Sequence, residues 1–110
     1  MKQGEIWQAD LNQVKGSEQA GFRPVVIVSG NLLNTHLPVV ITVPITSKIK
    51  NYKGNPILQP SPTNGLSMES EMLIFHIRSI TKDRLIKRLG EIEAQELALA
   101  TKTLNEILTY

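Results

Sequence analysis

The sequence contains no cysteine, so no disulfide staples the fold and no thiolate zinc site can form. Its 110 residues carry one Trp, two Tyr and two Phe, fewer than the stacked aromatics of a typical RNA-recognition sheet require. The only histidines, His36 and His76, lie far apart in the chain and form no local metal-binding pair. No apolar run approaches the roughly 18 residues of a membrane span, and the start, MKQGEIW, has no signal-peptide core behind its Lys. Phosphate-binding and dinucleotide glycine loops, HExxH and GxSxG are all missing. Neither charge sign dominates: 12 Lys and Arg face 10 Asp and Glu, a net charge of +2. That balance permits a phosphate-bearing or acidic partner without demanding one. Together these absences predict a soluble, cytoplasmic chain with no membrane segment, no metal and no cofactor.

What is present suits one small domain, residues 1–110, with a hydrophobic share of 41% and a single core. Short β-like segments fill most of the length, separated by Gly, Pro and Asn clusters. Residues 5–11 read as a first strand. Residues 24–29, PVVIVS, form an apolar β-branched run too continuous to be half-exposed, and Pro24 at its head costs no ladder bond there. A short connection, 30–37, leads to a second buried strand, 38–46, followed by a basic loop, 47–55. Residues 57–59 and 71–77 read as strands, 81–84 as one helical turn, and 85–92 as a returning strand. In the tail, Leu97, Ala100, Leu104, Ile107 and Leu108 recur at helical spacing. The expected architecture is α+β, mainly β: a small twisted barrel carrying one C-terminal amphipathic helix.

Two polar loops adjoin the buried strands. KGSEQAGFRP, residues 15–24, holds a cation, a carboxylate, a hydroxyl, an amide and Arg23 between glycines. The second runs from Thr46 and Ser47 through Lys48, Lys50, Tyr52 and Lys53. If the strands 24–29 and 38–46 pair antiparallel, Arg23 and Thr46 share one end of the sheet. An Arg beside a hydroxyl and several Lys suits a phosphodiester, because a guanidinium binds phosphate oxygens in a fork. The residues alone leave open a second reading, in which solvated loop ends cap a barrel.

The stretch GEIWQADLNQVKGSEQAGFRPVVIVS (4–29) resembles the N-terminal signature of the MazF/PemK (Kid) family of toxin endoribonucleases. VPIT with Ser47 resembles the family's second motif, and LIFHIRSI (73–80) its third. The resemblance implies an SH3-like barrel with a C-terminal helix, acting as a homodimer. It implies a toxin that cuts single-stranded RNA at short sequences, without ribosome or metal. Its partner would be a cognate antitoxin whose disordered, often acidic segment blocks the site.

Carried over residue by residue, the resemblance makes Arg23 and Thr46 the catalytic pair. A guanidinium keeps its proton near neutral pH and so suits a fixed cation better than a proton shuttle, and Arg23 is expected to stabilise charge on the scissile phosphate. Phe75 departs from the pattern, since some relatives carry a carboxylate there, which leaves Glu18 and His76 as proton carriers. Adjacent strand residues point to opposite faces, so His76 is not a simple replacement for an acid at 75. Ser17, Glu18, Gln19, Ser47, His76 and Arg78 are expected to read base edges. Lys48, Lys50 and Lys53 should follow phosphates, and Phe22 or Tyr52 stack a base, while Trp7 belongs to the core.

Two alternatives stay open at this stage. Gyrase-poisoning toxins share the fold and act by protein binding, but they rely on a terminal Trp-Gly-Ile, and this chain ends ILTY. An inactive homologue that binds only RNA or antitoxin is the other, and Phe75 is the feature in its favour.

Overall fold

Val25, Val26 and Ile27 are all buried, which a strand achieves only when both its faces are covered. The structure, a computed structural model, describes residues 1–11 and 21–109 and shows what covers them. Among these residues lie the strands β1 (Glu5–Asp10), β2 (Phe22–Ile27), β3 (Val39–Thr46), β4 (Ile57–Leu58), β5 (Ser70–Met72), β6 (Arg78–Thr81) and β7 (Leu85–Glu91). Two α-helices, α1 (Asn31–His36) and α2 (Ala94–Thr109), and two 3-10 turns, Ile74–His76 and Lys82–Arg84, are also present. The sheet order is β4-β5-β3-β2-β1-β7, with β6 also on β3, and every pair is antiparallel. This is the mainly β, α+β architecture that the pattern predicts, a curled half-barrel with a C-terminal helix.

Side-chain alternation divides the apolar residues between the two faces. Ile6, Val26, Val43, Ile45 and Met72 form one cluster, which α2 covers through Leu97, Ala100 and Leu104. Ala9, Leu11, Val25, Ile27, Val40, Ile80 and Leu85 form the other, with Trp7 packed against it. Each fully buried Ile or Leu of these clusters contributes about 1.5–3 kcal/mol. The helical stripe is shorter than its spacing suggests. Ile107 and Leu108 are 45% and 75% exposed, because α2 runs on past the sheet that covers its earlier turns.

Besides strand ends that differ by one residue, three elements depart from the expected ones. Residues 30–37 are more than a connection, since they contain α1. Its inward residue is polar: Asn34 Nδ2 donates to the Ser29 carbonyl at 2.9 Å, and Ser29 Oγ donates to Asn34 Oδ1. A buried side-chain clasp, rather than an apolar stripe, holds this helix, so hydrophobic periodicity does not reveal it. Strand β2 begins at Phe22, because residues 22–24 pair with β1 (Asp10↔Phe22, Gln8↔Pro24). Pro24 is therefore the strand's third residue and not its head.

The third difference shapes the site. Residues 71–77 do not run as one strand. Strand β5 stops at Met72, Ile74–His76 form a 3-10 turn, and a separate strand β6 follows. The partner strand supplies the cause. Leu73 N–H donates to the Pro44 carbonyl at 2.9 Å, and Pro44 has no N–H to return. From Ile45↔Met72 to Thr42↔Arg78, β3 advances three residues while the facing chain advances six. The three extra residues are the turn Ile74–His76.

Candidate active site

Arg23 and Thr46 occupy the sheet face that carries the second apolar cluster. Strand register pairs Val25 with Pro44 and Ile27 with Thr42; the same alternation continued by two residues leads from Val25 to Arg23 and from Pro44 to Thr46, and both line one cleft. They share one end of the β2–β3 pair, as the antiparallel arrangement requires. Gly21 precedes this end with φ at +116°, a backbone state that side-chain-bearing residues rarely adopt. The Leu11 N–H donates to the Gly21 carbonyl at 3.0 Å, so β1 and β2 stay joined up to that point.

Arg23, Thr46, Lys48, Lys50, Tyr52, His76 and Arg78 line one cleft of about 490 Å³. Leu11, Val25 and Ile80 from the second cluster form its apolar floor. Among the described residues four of those lining it are cationic and none is a carboxylate. Among the described residues the salt bridges join Met1, Glu5, Arg88 and Glu91, so none of them neutralises Arg23, Lys48, Lys50 or Arg78. A half-enclosed, cation-lined cleft with an apolar floor concentrates positive potential.

The Thr46 hydroxyl is oriented by its neighbour. Lys48 N–H donates to Thr46 Oγ1 at 3.1 Å, which occupies an acceptor position and leaves the hydroxyl proton to donate elsewhere. At the cleft's base the Thr42 hydroxyl donates to the Arg78 carbonyl at 3.1 Å, tying β6 to β3 beneath the Arg78 side chain.

The basic loop is held from below by a residue outside the expected site. Glu71 lies opposite Thr46 in the ladder and is fully buried. Its carboxylate accepts the backbone N–H groups of Lys50, Asn51 and Tyr52 at 2.7, 2.8 and 2.9 Å. Asn55 Nδ2 donates to it at 2.9 Å. Burial alone raises the Glu71 pKa; the hydrogen bonds from Asn55, Asn51, Lys50 and Tyr52 outweigh it, so the carboxyl sits below its ordinary value of 4.5. A second tether comes from α2, where Thr103 Oγ1 donates to the Gly54 carbonyl at 2.5 Å. Gly54 itself has φ at +90°, and a Cβ there would lie 3.1 Å from Thr103 Oγ1. The signal for Glu71 was a carboxylate set directly before the apolar run MLIF, with Asn55 in the loop to meet it.

Of the remaining expected residues, Phe22 and Ser47 line an adjoining hollow of about 450 Å³ that shares Arg23, Ile45, Thr46 and Lys48 with the main cleft. Those four residues form the saddle between the two spaces. Lys53 lines a third hollow, toward α2. Ser17, Glu18 and Gln19 lie outside the described residues. His76 and Phe75 both line the cleft, a consequence of the 3-10 turn; the strand alternation expected to separate them does not apply. His36 ends α1, away from the cleft, and Trp7 is half-buried with its indole N–H on Glu5 Oε1 at 2.9 Å. A larger, shallower hollow of about 790 Å³ on α2 includes one cation, Lys102, and one carboxylate, Glu106; it lacks the cleft's charge. Among the described residues no group of three or more His, Asp or Glu could hold a metal ion.

Known proteins with the same pattern are numerous. The family described as PemK-like, MazF-like toxin of type II toxin–antitoxin system matches residues 2–108. The chain is 39% identical over 103 residues to the endoribonuclease MazF9 of Mycobacterium tuberculosis, spanning 89% of this chain and 87% of that protein. It is 32% identical over 94 residues to the endoribonuclease EndoA of Bacillus subtilis, spanning 84% and 81%. The crystal structure of MazF from Deinococcus radiodurans superposes with a TM-score of 0.81 at 26% identity, covering 100% of this chain and 97% of that one. A mycobacterial endoribonuclease solved in complex with its cognate antitoxin gives 0.80 at 23% identity, covering 98% and 94%, a likeness of fold.

Proposed function

Because this chain belongs to the PemK-like, MazF-like toxins of type II toxin–antitoxin systems, we propose that it is an endoribonuclease and that the cleft holding Arg23, Thr46 and His76 is where it cuts single-stranded RNA. The observation that carries the assignment is that Arg23 and Thr46 line one cleft together with Lys48, Lys50 and Arg78. The relatives named above are endoribonucleases.

The chemistry uses the substrate's own nucleophile. The ribose 2'-oxygen attacks the adjacent phosphorus, the bond to the 5'-oxygen breaks, and a 2',3'-cyclic phosphate and a 5'-hydroxyl result. The 2'-hydroxyl loses a proton and the departing 5'-oxygen gains one. The added charge falls on the non-bridging phosphate oxygens, where the Arg23 guanidinium can meet two of them in a fork while Thr46 donates its hydroxyl hydrogen. In this reading His76, exposed at the cleft wall, moves one of the protons. Glu18, from the first loop, is the candidate for the other. Lys48, Lys50 and Arg78 follow the neighbouring phosphates, and DNA, lacking the 2'-hydroxyl, is not a substrate.

The same reading makes the chain a toxin that acts as a homodimer in the cytoplasm, held inactive by its antitoxin. A disordered acidic segment of the antitoxin matches the cleft's charge. Among the described residues, no helix is long and apolar enough to cross a membrane.

The test is a digest of a long, defined single-stranded RNA by the purified protein in EDTA, with the 5'-ends mapped. Cuts at one recurring short sequence support the assignment. An uncut RNA with the fold intact rejects it and leaves a protein that binds RNA or antitoxin without cutting.

A further inference from the structure

Phe75 lines the cleft and has no part in the chemistry above. Its ring is 51% exposed, although it stands between buried Ile74 and half-buried Ile77. The rings of Tyr52 and His76 flank it. Tyr52 meets it edge to face, with centroids 5.6 Å apart and planes at 76°. His76 meets it tilted, with centroids 4.4 Å apart and planes at 42°. One exposed ring would need no explanation. Three touching rings in a chain with one Trp, two Tyr and two Phe are a concentration, and they sit on the wall of the cation-lined cleft.

The cluster is also fixed from behind. Tyr52 N–H is bound to the Glu71 carboxylate at 2.9 Å, and the turn carrying Phe75 is closed by His76 N–H on the Leu73 carbonyl at 3.0 Å. A half-exposed ring on an anchored backbone loses little conformational freedom when a flat partner lies on it. Phe75 and Tyr52 line both the cleft and the hollow beside α2, so the pair forms the ridge dividing the two spaces.

We propose that Phe75, supported by Tyr52 and His76, is a stacking platform for one splayed nucleobase of the RNA strand held at Arg23 and Thr46. The inference rests on the ribonuclease reading and deepens it. Single-stranded RNA is recognised largely by unstacking its bases onto aromatic rings. The lining cations would hold the phosphates on either side of that base. An extended peptide would not need the arrangement of phosphate-binding cations around an exposed aromatic side chain.

The experiment measures binding of a fluorescein-labelled RNA oligonucleotide spanning the mapped cut, with a 2'-deoxyribose at the cut nucleotide so that it is not cleaved. Where no cut maps, a mixed-sequence single-stranded RNA takes its place. The probes include a set in which each flanking nucleotide in turn is abasic. Phe75→Ala is expected to weaken binding roughly 5- to 150-fold, the cost of losing one base stack. Phe75→Leu restores apolar volume without a π face and is expected to remain weak, whereas Phe75→Trp recovers. One abasic position should weaken the wild-type complex and have no further effect in Phe75→Ala. Wild-type affinity in Phe75→Ala, full rescue by Phe75→Leu, or abasic penalties that simply add would each overturn the platform. If RNA is cut as expected and binding ignores residue 75, the platform fails alone. If the wild type neither cuts nor binds RNA, the ribonuclease reading fails and the platform with it. Because the side chain is exposed, melting temperatures should stay close together across the series.

Discussion

Leu73 gives its backbone N–H to the Pro44 carbonyl at 2.9 Å, and Pro44 returns nothing. At that point the chain facing β3 leaves the ladder as a 3-10 turn and rejoins it at Arg78 with three residues to spare. Phe75 and His76 reach the cleft wall for this reason. Pro44→Ala supplies the missing N–H. It also releases backbone entropy in the unfolded chain worth about 0.4–1 kcal/mol, against about 1 kcal/mol from a new ladder bond. Stability should therefore change little. Hydrogen exchange should show a protected amide at position 44, and kcat/KM for RNA should fall as the turn is drawn in. A fast-exchanging amide at 44 with undiminished cleavage would show that Pro44 does not shape the turn.

The Arg23–Thr46 pair makes a sharper demand. If both groups bind charge that develops on the phosphate, their loss should appear in kcat more than in KM. Arg23→Ala and Thr46→Val are each expected to lower kcat by about 10²–10³-fold, the usual effect of removing one such donor. Arg23→Lys keeps the charge without the fork and should recover only part of the rate. Single-turnover cleavage of the mapped substrate separates the cases. Loss confined to KM in all three variants would place these residues in substrate binding alone.

Glu71 sets a pH dependence whose sign can be worked out. Its folded-state pKa lies below the ordinary 4.5, so its contribution to stability is fully present above that value. It is lost as pH falls through the lower, folded-state pKa. Glu5 is shifted the same way: burial raises its pKa, but hydrogen bonds from Trp7, Lys2 and Arg88 and the N-terminal charge outweigh it. Melting temperature should hold steady down to about pH 4.5 and then drop. In Glu71→Gln the amide places a donor among four donors, so the variant should melt lower at neutral pH and lose less on acidification. Parallel wild-type and variant curves would show that the carboxylate does not carry this dependence.

The sequence made the scaffold legible where burial follows a simple period. The run Val25–Ile27 announced a strand covered on both faces, and Leu97, Ala100 and Leu104 announced the docked side of α2. Arg23 and Thr46 were legible as a pair because antiparallel strands bring the ends of adjacent loops together. What escaped depends on groups meeting across the chain. Asn34 escaped for another reason: its clasp with Ser29, five residues earlier, is polar and leaves no hydrophobic period. Glu71 looks like a strand-end carboxylate until the loop folds over it. The alternation rule set Phe75 and His76 on opposite faces because the proline that breaks their strand lies some thirty residues earlier, on its partner.

Salt provides the last check, because it separates phosphate contacts from base reading. Each phosphate neutralised on a single strand steepens the fall of log K with log salt by about 0.7. If Arg23, Lys48, Lys50 and Arg78 each meet one phosphate, the slope should be roughly −2.8. Lys50→Gln should flatten it by about 0.7 and weaken all RNAs alike, leaving the cut sequence unchanged, since phosphates carry no sequence information. Lys53→Gln should flatten it less, because Lys53 lines the hollow toward α2 and not the cleft. Glu71→Gln tests the same contact from beneath: with the loop backbone released, Lys48 and Lys50 no longer hold their positions, and the slope should flatten although no cation has been removed. An unchanged slope in Glu71→Gln, beside a flattened one in Lys50→Gln, would mean that the lysines find the strand without the buried carboxylate to place them.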